Sequence, residues 1–140
     1  MTSPSPEPSP DHVVKLIPAD QWPALCASTM LAYSALDQAD GFMHLSTPDQ
    51  MLDTANRHYT DYSYVAGLLI PTQHLPGTLK WEPAAKRNNA LFPHLYGPCR
   101  TAWIEKAIVL ARGSDARFAV TGEIEPPFDP DTDFSAFSHG

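Results

Sequence analysis

Asp40-Gly41-Phe42-Met43-His44-Leu45-Ser46-Thr47 runs directly into Pro48-Asp49-Gln50-Met51. The junction reads as a short strand feeding a helix. Asp40-Gly41 is turn-like, and Phe42 to Leu45 is the strand. Thr47 suits an N-cap, Pro48 the first helical position, and Gln50 stands three residues after the cap, which is a capping-box spacing. The helix is expected over Pro48 to about Tyr59, with Met51, Leu52, Ala55 and Tyr59 on one stripe. Arg57 and His58 fall in its last turn, where positive charge is favourable. A helix start presents unpaired N–H groups and a partial positive charge, so it readily holds an anion. His44, Ser46 and Thr47 are therefore the first candidates for ligand contact, although the cap alone accounts for Thr47.

Outward from this junction the chain reads as α+β. His12 to Ile17 is an expected strand, and Pro18 to Ser28 a helix with Trp22, Leu25 and Cys26 on one face. Tyr64 to Ile70 is short and nearly continuous in apolar residues, which suits a strand buried on both faces. Leu79-Lys80-Trp81-Glu82 is a strand end or edge stopped by Pro83. Residues 84–92 read as a loop, and Phe92-Pro93-His94-Leu95-Tyr96-Gly97-Pro98 as a tightly punctuated segment. Ala102 to Leu110 and Arg117 to Thr121 complete the strands. Residues 1–11 form a Pro/Ser-rich tail, 12–124 one compact domain, and 125–140 an irregular C-terminal tail on which Phe128, Phe134 and Phe137 can dock.

With 140 residues, 43% of them hydrophobic, the chain can bury one real core without a disulfide or metal staple. The formal net charge is -7, from 9 basic and 16 acidic residues. That balance argues against nucleic-acid binding and against adhesion to anionic membranes. Cys26 and Cys99 stand in no metal or CxxC spacing, and two free thiols are expected. No secretory leader and no membrane span are read, so the expectation is a soluble cytoplasmic protein.

Four residues, His44 among them, carry possible chemistry. Imidazole trades protons near neutrality, so His44 suits acid–base work or ligand orientation; the alternative is a structural His at a strand end. Glu82 follows Trp81, and a carboxylate beside a large ring is expected to be partly desolvated with a raised pKa. It can equally be a plain surface acid. His94 and Tyr96 stand two apart, so an extended chain turns them to one side. They line a pocket, or they brace a turn through backbone bonds. A zinc set of His44, Glu82 and His94 has suitable residue types but no signature spacing, and no metal is expected. Arg57, Lys80, Lys86 and Arg87 read most simply as solvated charges, with Lys86-Arg87 within reach of a phosphate. His12, His58, His74 and His139 look peripheral.

Trp22, Asp37, the block from Asp40 to Thr47, Gln50, Thr54-Ala55, Leu79-Lys80-Trp81-Glu82 and Phe92-Pro93-His94-Leu95-Tyr96-Gly97 together resemble domain-of-unknown-function family 952. The likeness covers roughly residues 13–110. It implies a small relative of the ADP-ribosyltransferase fold, a mixed, split sheet with flanking helices around an NAD-binding cleft. By matching position, His44 takes the ribose-binding role, Glu82 is the candidate acid, and Tyr96 stacks on nicotinamide. The chain lacks the RSE pattern of typical transferases, and Glu82 follows His44 sooner than it does there.

Three functions compete. The first is an ADP-ribosyltransferase-like enzyme or NAD glycohydrolase, with NAD as substrate and Ser46 on the ribose or phosphate side. The second is an acid–base hydrolase, isomerase or cyclase of a small organic metabolite. There His44, Glu82 and His94 are catalytic and Trp81 and Tyr96 line the pocket. The third is a non-catalytic module that binds a nucleotide or a protein.

Overall fold

A computed structural model describes residues 11–75 and 77–137. In chain order the main elements are β1 (His12–Pro18), α1 (Trp22–Cys26), α2 (Ala35–Asp40), β2 (Met43–His44), α3 (Met51–His58), β3 (Tyr64–Pro71), β4 (Leu79–Ala84), β5 (Ala90–Leu95), β6 (Lys106–Arg112) and β7 (Phe118–Ile124). They form an α+β fold with two sheets, ordered β1-β3-β6-β7 and β2-β5-β4. Every strand pair is antiparallel. The expected split sheet is present, but it is antiparallel throughout rather than mixed.

The apolar run Val65 to Ile70 lies between β1 and β6 and is buried on both faces. Alternation along the strands sorts its surroundings into two cores. Val13, Ile17, Ala66, Leu68, Ile70 and Val109 face one way, toward Met43, Leu45, Leu95 and Trp22. Val14, Leu16, Val65, Leu69 and Leu110 face the other way, toward Met51 and Ala55 of α3. Helix α3 sits so close that a Cβ on Gly67 would lie 2.8 Å from Met51 Sδ and 3.3 Å from Val14 Cγ1, so a larger residue there would force the Met51 side chain to shift.

The capping box forms as spaced: Gln50 N donates to Thr47 Oγ1 at 3.1 Å and Thr47 N to Gln50 Oε1 at 3.0 Å. A turn over residues 48–50 intervenes, so the regular helix starts at Met51 rather than Pro48. Thr47→Ala should cost about 1 kcal/mol in a urea titration, the usual loss for a cap.

Further elements differ from expectation. The strand expected from Ala102 begins at Lys106, after a 3-10 turn over Thr101–Trp103, and the helix expected over Pro18 to Ser28 is α-helical only over Trp22–Cys26. Residues 35–40 form α2, closed by Gly41 at φ 84°. Its N-cap is Ser34, whose side chain exchanges bonds with Asp37. The hairpin from residue 84 carries β5 from Ala90 onward, where a loop was expected. Pro93 lies in this central strand because its missing N–H faces the point where β2 stops. There Leu45 N donates to the Pro93 carbonyl at 3.1 Å, and no return bond is possible. Pro83 does not stop β4, an edge strand where a missing donor is harmless. In the C-terminal segment, the rings of Phe128 and Phe134 meet Trp22 edge-on at 5.1 and 5.4 Å. Phe137 packs on the same core.

Candidate functional site

The small sheet has one face in the core and one outside. Met43, Leu45, Leu79, Trp81 and Leu95 belong to the core side. The period-two rule then sends Phe42, His44, Lys80, Glu82, Phe92, His94 and Tyr96 to the other side. Backbone pairing places His44 opposite His94. The neighbouring pair, Leu45 and Pro93, carries the ladder bond, so His44 and His94 form the pair whose side chains approach most closely. Their ring centroids are 5.8 Å apart. Phe42 stacks on His94 at 4.0 Å and meets the His44 and Tyr96 rings at 4.6 and 5.3 Å.

Two imidazole–carboxylate pairs occupy this face. In the first, His44 Nδ1 donates to Asp37 Oδ1 at 2.6 Å, and His44 N donates to the same oxygen at 3.0 Å. The other oxygen, Oδ2, accepts from Lys15 Nζ at 2.7 Å and from Ser34 N at 2.9 Å. Lys15 and Asp37 are 5% and 1% exposed. Burial alone would raise the Asp37 pKa, but the bonds from His44 and Lys15 outweigh it and hold the carboxyl well below its ordinary range. Burial pulls the Lys15 ammonium below its ordinary value, against the opposing pull of Asp37. His44 Nε2 lies 2.9 Å from Oδ2 of the exposed Asp40.

In the second pair, Glu82 Oε1 accepts from Tyr96 Oη at 2.6 Å and from His94 Nδ1 at 2.8 Å. Glu82 sits diagonally across from His94, within reach on one sheet face. Those two bonds, Tyr96 first, lower the Glu82 pKa. The expected rise does not occur. Trp81 points into the core, so it does not desolvate Glu82, whose side chain is 38% exposed. The Tyr96 hydroxyl is raised by donating to the same carboxylate.

The structure thus brings together His44, Glu82, His94 and Tyr96. It does not bring the other candidates to this face. Ser46 is buried, donates to Thr54 Oγ1 at 3.2 Å, and bridges the two sheets through backbone bonds with Val14. Thr47 is occupied by the cap. Trp81 is partly buried and packs against the core, on the face opposite to Glu82. Arg87 is no solvated charge: its side chain is 12% exposed, stacks over Phe92 at 4.5 Å, and pairs with Asp53 at 2.5 Å. His12 pairs with Glu105, His74 stacks on Trp103, and His139 lies outside the described residues.

Sequence reasoning missed Lys15, Phe42 and Asp40 as parts of the site, and Asp37 as the partner of His44. Signals for two of them were present. Ser34-x-x-Asp37 followed by Gly41 is a helix with both ends marked. A single cation inside Val13-Val14-Lys15-Leu16-Ile17 calls for a buried counter-charge.

A cleft of about 310 Å³ lies between α3 and the β4–β5 hairpin, lined in part by Gln50, Asp53, Arg57, Arg87 and Phe92. Phe92 joins it to the His94 face. A second cleft, of about 250 Å³, lies on Cys26, Thr101 and Phe128. Neither is lined by His44, Glu82 or His94. Among the described residues, no group of three or more His, Cys, Asp or Glu is arranged to hold a metal. Among them, too, no helix is long and apolar enough to cross a membrane.

The chain is an α+β protein with two antiparallel sheets. The chain belongs to the family described as protein of unknown function DUF952, whose family model matches residues 16–107. It is similar to protein CC0527 from Caulobacter crescentus. The X-ray structure of that protein aligns at TM-score 0.69 and 30% identity, over 77% of this chain and 93% of that one. Its solution NMR structure aligns at TM-score 0.66 and 31% identity, over 76% and 90%. No curated protein matches the chain.

Proposed function

We propose that the outer face of the small sheet binds NAD as a substrate and releases its nicotinamide, as an ADP-ribosyltransferase-like enzyme or a glycohydrolase. The observation that carries this reading is the Glu82 carboxylate, held ionised by Tyr96 and His94 on the same face as His44. Breaking the bond from ribose C1′ to the nicotinamide nitrogen sends the bonding pair to the nicotinamide and cancels its ring charge. C1′ is left electron-poor and oxocarbenium-like, and a fixed carboxylate stabilises such a centre. A hydroxyl then bonds to C1′ and passes its proton to Glu82. With water as the acceptor, the products are nicotinamide, ADP-ribose and a proton. His44 supplies the contact to the ribose. Phe42 and Tyr96 offer ring faces to the planar nicotinamide. Arg57 and Arg87, which line the adjoining cleft and both pair with Asp53, are the cations assigned to the pyrophosphate in this reading.

Two imidazole–carboxylate pairs side by side also favour a second reading, acid–base chemistry on a small metabolite. Incubating the full chain with millimolar NAD and measuring free nicotinamide separates the two. Release of more than one equivalent is expected. Heat of binding without release leaves a nucleotide-binding module, and neither heat nor release removes NAD in favour of the metabolite reading.

A further inference from the structure

His44 has a carboxylate at each ring nitrogen, and the two are unequal. Asp37 is 1% exposed, sits 2.6 Å from Nδ1, and has both oxygens engaged by donors. Asp40 is 2.9 Å from Nε2, and its side chain is 43% exposed. Water screens the second contact and not the first, so Asp37 has the stronger claim on the ring proton. An ionised carboxylate only accepts. Lys15, across the same carboxylate, supplies the counter-charge that keeps Asp37 ionised out of water.

We propose that Asp37 is a positioning residue for His44: it holds the neutral ring as the Nδ1–H tautomer and turns Nε2 outward as the acceptor for a ligand hydroxyl. The 2.9 Å contact to Asp40 needs a proton on Nε2, so it belongs to the charged ring. In the neutral ring two acceptors would face each other, the exposed Asp40 carboxylate turns away, and its place is left to the hydroxyl. Free neutral histidine prefers the opposite tautomer, so the protein imposes this one. The partner of the other nitrogen decides which nitrogen works. Two further titratable groups face the ring, His94 across the ladder and His58 from α3. Neither is placed to compete for Nδ1, which is already bonded to Asp37. The inference deepens the NAD reading by assigning the ribose hydroxyl to Nε2. Its test reads only the ring, so it stands or falls independently of NAD.

The measurement is the ¹⁵N shift of both His44 ring nitrogens in the labelled full chain, on the alkaline side of the ring's titration. The expected result is a protonated Nδ1 and an unprotonated Nε2. Asp40→Asn should leave that pattern in place. Asp37→Asn should move the proton to Nε2, because the amide presents a donor to Nδ1 and forces the wrong tautomer. A wild-type ring protonated on Nε2 overturns the proposal. So does loss of the Nδ1–H pattern in Asp40→Asn, or its survival in Asp37→Asn. Should Asp37→Asn not fold, the wild type and Asp40→Asn still decide.

Discussion

Replacing Asp37 with alanine is expected to lower the unfolding free energy by about 3–5 kcal/mol, the usual cost of stripping one partner from a buried ion pair. Its carboxylate receives four hydrogen bonds: from Lys15 Nζ, His44 Nδ1, His44 N and Ser34 N. Removing it orphans a lysine that is 5% exposed, opens the N-terminus of α2 and frees the His44 ring. Urea titration gives the number. The pH dependence gives a second check with a definite sign. The folded carboxyl lies below its ordinary value, so its stabilisation is fully present above about pH 3.9, the unfolded reference. It is lost as pH falls through the depressed folded value. The wild type should therefore weaken in acid by more than Asp37→Ala does. A loss under 1 kcal/mol, with parallel acid limbs, would show that the pair is not structural.

The second large effect is kinetic. Glu82→Gln should reduce nicotinamide release by about 10²–10³-fold, the range seen when one stabilising group is removed from a developing charge. The amide keeps the shape and can still bond Tyr96, but it removes the negative charge. Stability should change by less than about 0.5 kcal/mol, as for a surface substitution. The carboxylate's side chain is 38% exposed, and the glutamine oxygen still accepts from the His94 ring, which is itself only 10% exposed. Comparable rates for Glu82→Gln and wild type would remove Glu82 from the chemistry.

Legibility in the sequence was uneven for physical reasons. β3 was plain because a strand buried on both faces needs an unbroken apolar run. The capping box of Thr47 and Gln50 was plain because it is local. Helix α2 was not seen: it is only six residues long, with little apolar periodicity. β5 was hidden by Pro93, which is tolerated only because β2 ends beside it. That depends on another part of the chain. The site followed the same division. His44, Glu82, His94 and Tyr96 stood out by residue type, and the fold brings them to one face. Their mates Lys15 and Asp37 lie 22 residues apart and meet only in the folded protein. Trp81 takes the face opposite to its neighbour Glu82 because side chains alternate along a strand, and Ser46 lies beyond the end of β2, where it pairs with Val14 of the other sheet.

The most direct test of the account is a titration of the full chain with NAD, followed through the ring resonances of His44 and His94. Saturable shifts are expected at both rings and at Tyr96, with Thr47 and Trp81 far less affected. Millimolar NAD that leaves both imidazoles unmoved, or that shifts only residues away from the outer face of the small sheet, would contradict it.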